Sequence, residues 1–396
     1  MRKNKKMMTV CLLAAFAAAA AMPVSAETEN EEPTVNDGTE AVYLGVENYG
    51  LEETNKDNKN NFHYRFSIDG EEKILSIDNG TQDEDGEYDY PIQNILKEGS
   101  SYVLSIEEDT VTAAEEIPKE PTGFVPAVSG TPGEKTLTNF LRTAMMPVGT
   151  TLYIYGGGWN WQDDAASVQT KAIGVSDDWV RFFESNDENF TYKNEDATQS
   201  YYPFGEYNEY YYAGLDCSGY LGWAIYNTLE TEDGKDGYVT FAKKTGSILA
   251  DAGWGTMTKE TPDGTKEKEM RPGDIMSLNG HVWLSLGTCP DGSIVIAHST
   301  PSDSRAGQPG GGVQISAVGE SYDCEAYALA DRIMSEYYPE WSARYETALK
   351  SPADYFSFDA DTAGRFTWTI SDEFTDPDGL QEMSAKEALA VIFDEK

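Results

Sequence analysis

Histidine is nearly missing from this chain, with three residues in 396, and cysteine occurs only four times. A chain this long does not depend on disulfides, and so few imidazoles leave few ways to assign a catalytic base. Basic residues are scarce as well: 29 Lys and Arg stand against 69 Asp and Glu, a net charge of −40. Such an excess repels nucleic acid, anionic membranes and anionic wall polymers. Long apolar runs are absent after the first two dozen residues, and nothing later approaches the roughly 20 residues needed to span a bilayer.

What is present begins with Arg2, Lys3, Lys5 and Lys6, an apolar run from Met7 to Met22, and Val24-Ser25-Ala26. A basic start, a short apolar segment and small residues before the cut make a secretory signal peptide, with cleavage expected after Ala26 and no membrane attachment afterwards. The expected location is extracellular. Three cysteines then remain, and an odd number in an exported protein implies at least one free thiol. Cys289 sits in the turn Thr288-Cys289-Pro290-Asp291-Gly292 and Cys324 opens a helix. Two free structural cysteines is the reading, with a bond between them as the alternative.

Residues 27–41 are polar and acidic and read as a flexible tail. From 42 to 114 the pattern is that of a small β-rich domain: Phe62, Tyr64, Phe66 and Ile68 alternate with polar residues, Asp69-Gly70 supplies a hairpin turn, and Leu75 and Ile77 resume the alternation. His63 reads as a surface residue. Asp83, Asp85 and Asp89 around Gly86 resemble a calcium loop but lack its ligand spacing, so a solvated acidic turn is expected. Pro118, Pro121, Pro126 and Pro132 mark a linker over 115–135. A helix follows near Thr136, with Leu137, Phe140, Leu141 and Ala144 on one face, and then a short strand ending at Gly156 to Gly158. Residues 159–213 are dense in aromatics, among them Trp159, Trp161, Trp179 and Tyr201. They form either a lid whose rings hold substrate or a folded insertion with its own core.

The stretch that carries chemistry is Gly214-Leu215-Asp216-Cys217-Ser218-Gly219-Tyr220. Leu221, Ala224, Ile225 and Leu229 follow at helical spacing, so Cys217 lies at a helix N-terminus, where unpaired N–H groups and the macrodipole favour a thiolate. Further on, His281 heads a strand after the turn at Gly280, and His298 ends the strand that pairs with it. In an antiparallel pair the two imidazoles meet at one edge. A cysteine nucleophile needs a base, and the base needs a group to orient its ring; Cys217, His281 and His298 can fill those roles. No metal or cofactor is called for.

From about Thr136 to Val318 the chain resembles the NlpC-type cell-wall peptidases, a papain-like group of bacterial cysteine hydrolases. The resemblance rests on Tyr153-Ile154-Tyr155-Gly156-Gly157, Asp216-Cys217-Ser218-Gly219-Tyr220, Arg271-Pro272-Gly273-Asp274, Gly280-His281-Val282 and Ile296-Ala297-His298-Ser299, in the family's order. It implies an α+β fold with a papain-like catalytic domain over 136–320, its N-terminal helices packed on an antiparallel sheet. The β-rich domain precedes it, and a helical extension over 321–396 follows. It also implies Cys217 as nucleophile, His281 as general base and acid, and His298 as the group orienting His281. Tyr153 would support the nucleophile's backbone, while Asp216 and Ser218 would help bind the free amino end of a stem peptide. The chain departs from the family in the long segment 159–213 and in Trp283, where a small residue is common.

The substrate so implied is peptidoglycan or a muropeptide, cut between D-glutamate and diaminopimelate or lysine. The acidic surface favours soluble fragments over intact wall. An N-acetylmuramoyl-L-alanine amidase or an acyltransferase on the same triad is the alternative. A non-catalytic module whose N-terminal domain binds protein or glycan is the third.

Overall fold

Phe62, Tyr64, Phe66 and Ile68 point inward and His63 faces solvent, as the alternation predicts. The structure, a computed structural model, describes residues 38–46, 59–82, 88–157, 174–190, 213–229, 240–258, 270–356 and 362–395. Strands β1 (Thr39–Val46), β2 (His63–Ile68), β3 (Glu71–Ser76), β6 (Ser101–Glu107) and β7 (Thr110–Glu116) close into a barrel in the order β1-β2-β3-β7-β6. A ribbon of β4 (Thr81–Gln82) and β5 (Tyr88–Asp89) stands apart from it. Asp69 and Gly70 both take positive φ, 54° and 79°, as a two-residue hairpin turn requires. The acidic turn at Asp83 to Gly86 lies outside the described residues.

The chain then builds a mixed α+β body around one seven-stranded sheet. Its order is β13-β12-β11-β10-β9-β14-β8, where β8 is Gly255–Thr258, β9 Ile275–Leu278, β10 His281–Thr288 and β11 Ile294–Asp303. β12 is Pro309–Val318, β13 Leu349–Lys350 and β14 Gly364–Trp368. Val282, Leu284, Leu286, Val295 and Ala297 turn to one face, where they join the largest core. That core takes residues from α1 (Leu137–Met145), α2 (Asp177–Ser185), α3 (Cys217–Leu229), α4 (Thr245–Asp251) and α5 (Glu325–Tyr337). It also takes them from α6 (Pro339–Arg344) and α8 (Ala385–Ile392). Met276, Trp283, Ile294 and Ile296 turn to the other face, where Tyr355 and Phe356 cover them. Tyr355 ends the one-turn helix α7 (Pro352–Tyr355). Among the described residues no helix is long and apolar enough to cross a membrane.

Three expectations need correction. The strand at 151–155 is reduced to isolated bridges from Leu152 to Gly312 and Gly214, because glycines there let three backbone segments meet at one residue. The tail after 320 is not simply helical: β13 and β14 enter the sheet. β14 does so between β9 and β8, because Phe366 and Trp368 alternate inward along it. The one-sided helix after Cys217 is buried nearly all round, with every residue except Ser218 buried. α1 anchors it on one side, where Tyr220 donates to the Ala144 carbonyl at 2.8 Å, and Trp179 meets Trp223 edge-on at 6.0 Å. The neighbouring Asp178 pairs at 3.0 Å with Lys97, a buried lysine of the barrel unit that also holds Glu116 at 3.1 Å. Of the aromatic segment 159–213, residues 174–190 thus pack into the main core, while Trp159, Trp161 and Tyr201 lie outside the described residues.

Trp368 tests whether the C-terminal strand is integral to this core. Its ring stacks on Phe374 at 4.2 Å and donates Nε1–H to the Gly273 carbonyl at 2.9 Å. Trp368→Ala is expected to lower stability by about 3–5 kcal/mol in urea unfolding. A loss under about 1 kcal/mol would place β14 outside the cooperative core.

Candidate active site

Cys217 is held in place by the backbone before it. Leu215 N–H donates to the Leu152 carbonyl at 3.1 Å and Asp216 N–H to that of Gly157 at 2.7 Å. From β11, Ser299 Oγ donates to the Leu215 carbonyl at 2.6 Å. Gly214 is obligatory here, since a Cβ would stand 2.1 Å from the Leu152 oxygen. Asp216 then caps α3: its Oδ1 accepts from Gly219 N–H at 2.7 Å and from Ser218 Oγ at 2.9 Å. The N–H groups of Cys217 and Ser218 at this helix start, and that of Val282 on β10, lie against the sulfur.

β10 and β11 pair with Leu284 opposite Ala297, and that register brings His281 and His298 together diagonally on one face. Their rings are 5.3 Å apart, with His281 Nε2 at 3.1 Å from His298 Nδ1. His298 Nε2 reaches Ser316 Oγ on β12 at 3.0 Å, and both residues are fully buried. The chain of contacts accommodates one tautomer pair that leaves His281 Nδ1 free. For His281 Nδ1 to be the free base, its Nε2 carries the proton and donates to His298 Nδ1, leaving His298 Nε2–H to donate to Ser316.

The charge state differs from the sequence expectation. Burial pushes the Cys217 thiol up to about 12, with the Asp216 carboxylate adding to the shift, and this outweighs the N–H groups that favour the anion. Burial also pushes His281 down to about 3, helped by the Lys350 cation, and holds His298 well below its usual value. At rest the Cys217 thiol and the His281 imidazole are therefore both neutral.

Of the three expected catalytic side chains, His281 and His298 are in contact, and Cys217 lies against the backbone N–H of Val282, the residue after His281. Asp216 is half-buried, with its Oδ1 engaged in capping α3 and burial raising its pKa. Ser218 lies beside it. Tyr153 is buried, and the bonds that hold the nucleophile segment come from its neighbours Leu152 and Gly157, while its own N–H goes to Gly311 at 2.8 Å.

Two residues escaped the sequence reading. Ser316 had a signal: Val313, Ile315 and Ala317 alternate with Gln314 and Ser316, so the polar pair shares the face of His298. Tyr355 had none, since it lies 57 positions from the histidine whose Nδ1 its hydroxyl approaches at 3.4 Å. The other thiols stay unpaired: Cys289 and Cys324 are free. Cys289 lies within 4.8 Å of Asp291 and Glu325 oxygens, but Asp291 already serves to cap α5, accepting Glu325 N–H at 2.8 Å and Ser293 N–H at 2.9 Å.

A thiol raised this far reacts slowly. Iodoacetamide at pH 8 is expected to alkylate Cys217 more slowly than free cysteine, whose pKa is about 8.5, followed by mass of the peptide; equal or faster reaction would contradict the buried neutral form. The imidazole adds a second test. His281 binds its proton near 6.5 when unfolded and near 3 when folded. Within that window the unfolded chain holds more protons, so this group lowers stability as pH falls. His281→Gln removes that contribution, and its stability relative to the parent should improve steadily on acidification from pH 6.5. A pH-independent difference would show that His281 is not held neutral.

No protein-family model, no curated protein and no solved structure matches this chain.

Proposed function

We propose that this chain is an exported cysteine hydrolase of the NlpC type, with a papain-like arrangement of helix and sheet, which cuts an amide bond in peptidoglycan stem peptides. The observation that carries the reading is the buried Cys217 helix start beside the His281–His298–Ser316 chain of hydrogen bonds. A purely structural role needs neither a cysteine at that helix start nor two linked imidazoles.

The chemistry follows from the neutral resting pair. His281 Nδ1 takes the Cys217 proton as sulfur bonds to the carbonyl carbon, and the C=O electrons move onto oxygen. N–H groups at the start of α3, including that of Cys217, stabilise the oxyanion, and removing one such donor typically costs about 100-fold in rate or more. The protonated His281 gives its proton to the amide nitrogen as the C–N bond breaks. Water then loses a proton to His281, adds to the thioester, and expels sulfur, which regains the proton. His298 keeps the His281 ring and tautomer fixed through both halves, and Ser316 does the same for His298. Asp216, next to the nucleophile, suits a substrate with a free amino group close to the scissile bond. That preference is what a stem peptide cut between D-glutamate and diaminopimelate or lysine would use.

The test is a digest of purified muropeptides by the mature protein and by Cys217→Ala, with products identified by mass. A new amino-terminal diaminopimelate or lysine, formed by the parent and lost in the variant, is expected. Release of whole stem peptides from the sugar would keep the nucleophile and move the activity to an amidase. Unchanged substrate with both proteins would end the hydrolase reading.

A further inference from the structure

The outer face of the sheet beside the two histidines is not open. After β13 the chain turns at Ser351, whose side chain caps α7, and this single turn sets Tyr355 against the site. The Tyr355 ring meets His281 at 5.3 Å, His298 at 5.8 Å and Trp283 at 6.2 Å. Its hydroxyl lies 3.4 Å from His298 Nδ1. Its carbonyl accepts Trp283 Nε1–H at 3.2 Å, and Phe356 packs edge-on against Trp283 at 5.6 Å. Behind the ring stands Lys350, with Nζ 6.0 Å from its centroid.

We infer that Tyr355 is the access gate of the Cys217 site: its ring holds the ground a substrate must enter, and substrate reaches the sulfur by displacing the Pro352–Tyr355 turn. The inference rests on the hydrolase reading for what enters, though not for the gate itself. Three observations support it. Cys217 is only 7% exposed, whereas attack requires a carbonyl carbon to come within about 3–3.5 Å of sulfur. Among the described residues, Tyr355, from outside β10 and β11, lies against both imidazoles.

The second observation concerns how firmly the ring is tied. The Tyr355 hydroxyl approaches His298 Nδ1 at 3.4 Å, longer than the 3.1 Å of His281 to the same nitrogen, and it also meets the Thr300 side chain, so its tie to the histidine is a weak, shared contact. The third is the build of the turn. Four residues are too few to be a stable helix alone, and α7 depends on the Ser351 cap and the Trp283 contact. Contacts of this kind hold the ring at rest and release it at small cost.

The gate is tested without any hydrolysis. Iodoacetamide is added to the full chain at pH 8, and alkylation of each cysteine is followed by peptide mass for the parent, Tyr355→Ala and Tyr355→Phe. Tyr355→Ala should speed Cys217 alkylation at least about tenfold, which recovery of a single pKa unit would supply. Tyr355→Phe, which keeps the ring, should stay within about threefold of the parent. Buried Cys289 should remain protected in all three and report an intact core. An unchanged Cys217 rate in Tyr355→Ala would overturn the gate, and so would Cys217 and Cys289 rising together, which is general loosening. Faster Cys217 labelling with no muropeptide cleavage by the parent would keep the gate and remove the hydrolase; cleavage with unchanged labelling would do the reverse.

Discussion

Three polar side chains on three adjacent strands, His281, His298 and Ser316, must satisfy one another where no water reaches the inner two. Each buried donor or acceptor left without a partner costs about 1–3 kcal/mol, so the row tolerates only one registration of β10, β11 and β12. A slip by one residue would send His298 and Ser316 into the apolar face that packs on α3. The strand register is thereby tied to the geometry of the histidine pair. Ser299, next along β11, carries the same registration across to the nucleophile segment through the Leu215 carbonyl.

Cys217 is placed by a different device. α3 is too apolar to lie on a surface and is enclosed by the sheet, α1 and Trp179. A helix so enclosed fixes its first residue closely, and close backbone approach through Gly157, Gly214 and Gly312 fixes the chain that enters it. The cost of this rigidity is desolvation of the thiol. Dipole and N–H groups at the helix start favour the anion, yet burial and the Asp216 charge outweigh them. Position at a helix terminus is thus insufficient to infer a thiolate. Exposure decides it, and here the thiol is buried.

That far end also completes the scaffold. β14 separates β9 from β8 in the sheet, and α8, whose capping box joins Ser384 to Glu387, packs against β10. The segment after 320 therefore supports the histidine strands from behind and covers them in front.

Much of this was legible locally. Strict alternation marked β2, β10 and β11, the Asp-Gly pair marked the turn at Asp69-Gly70, and helical spacing marked α1 and α3. The Cys217, His281 and His298 set followed because so few cysteines and histidines compete for those roles. These features depend on neighbours within a few residues, where side-chain period and turn chemistry act directly. Closure of the barrel, entry of β14 into the middle of the sheet, the partnership of Ser316 with His298 and the seat of Tyr355 on the histidines were decided only by tertiary packing. Each joins segments distant in the chain, and no local period records which of many compatible surfaces will meet.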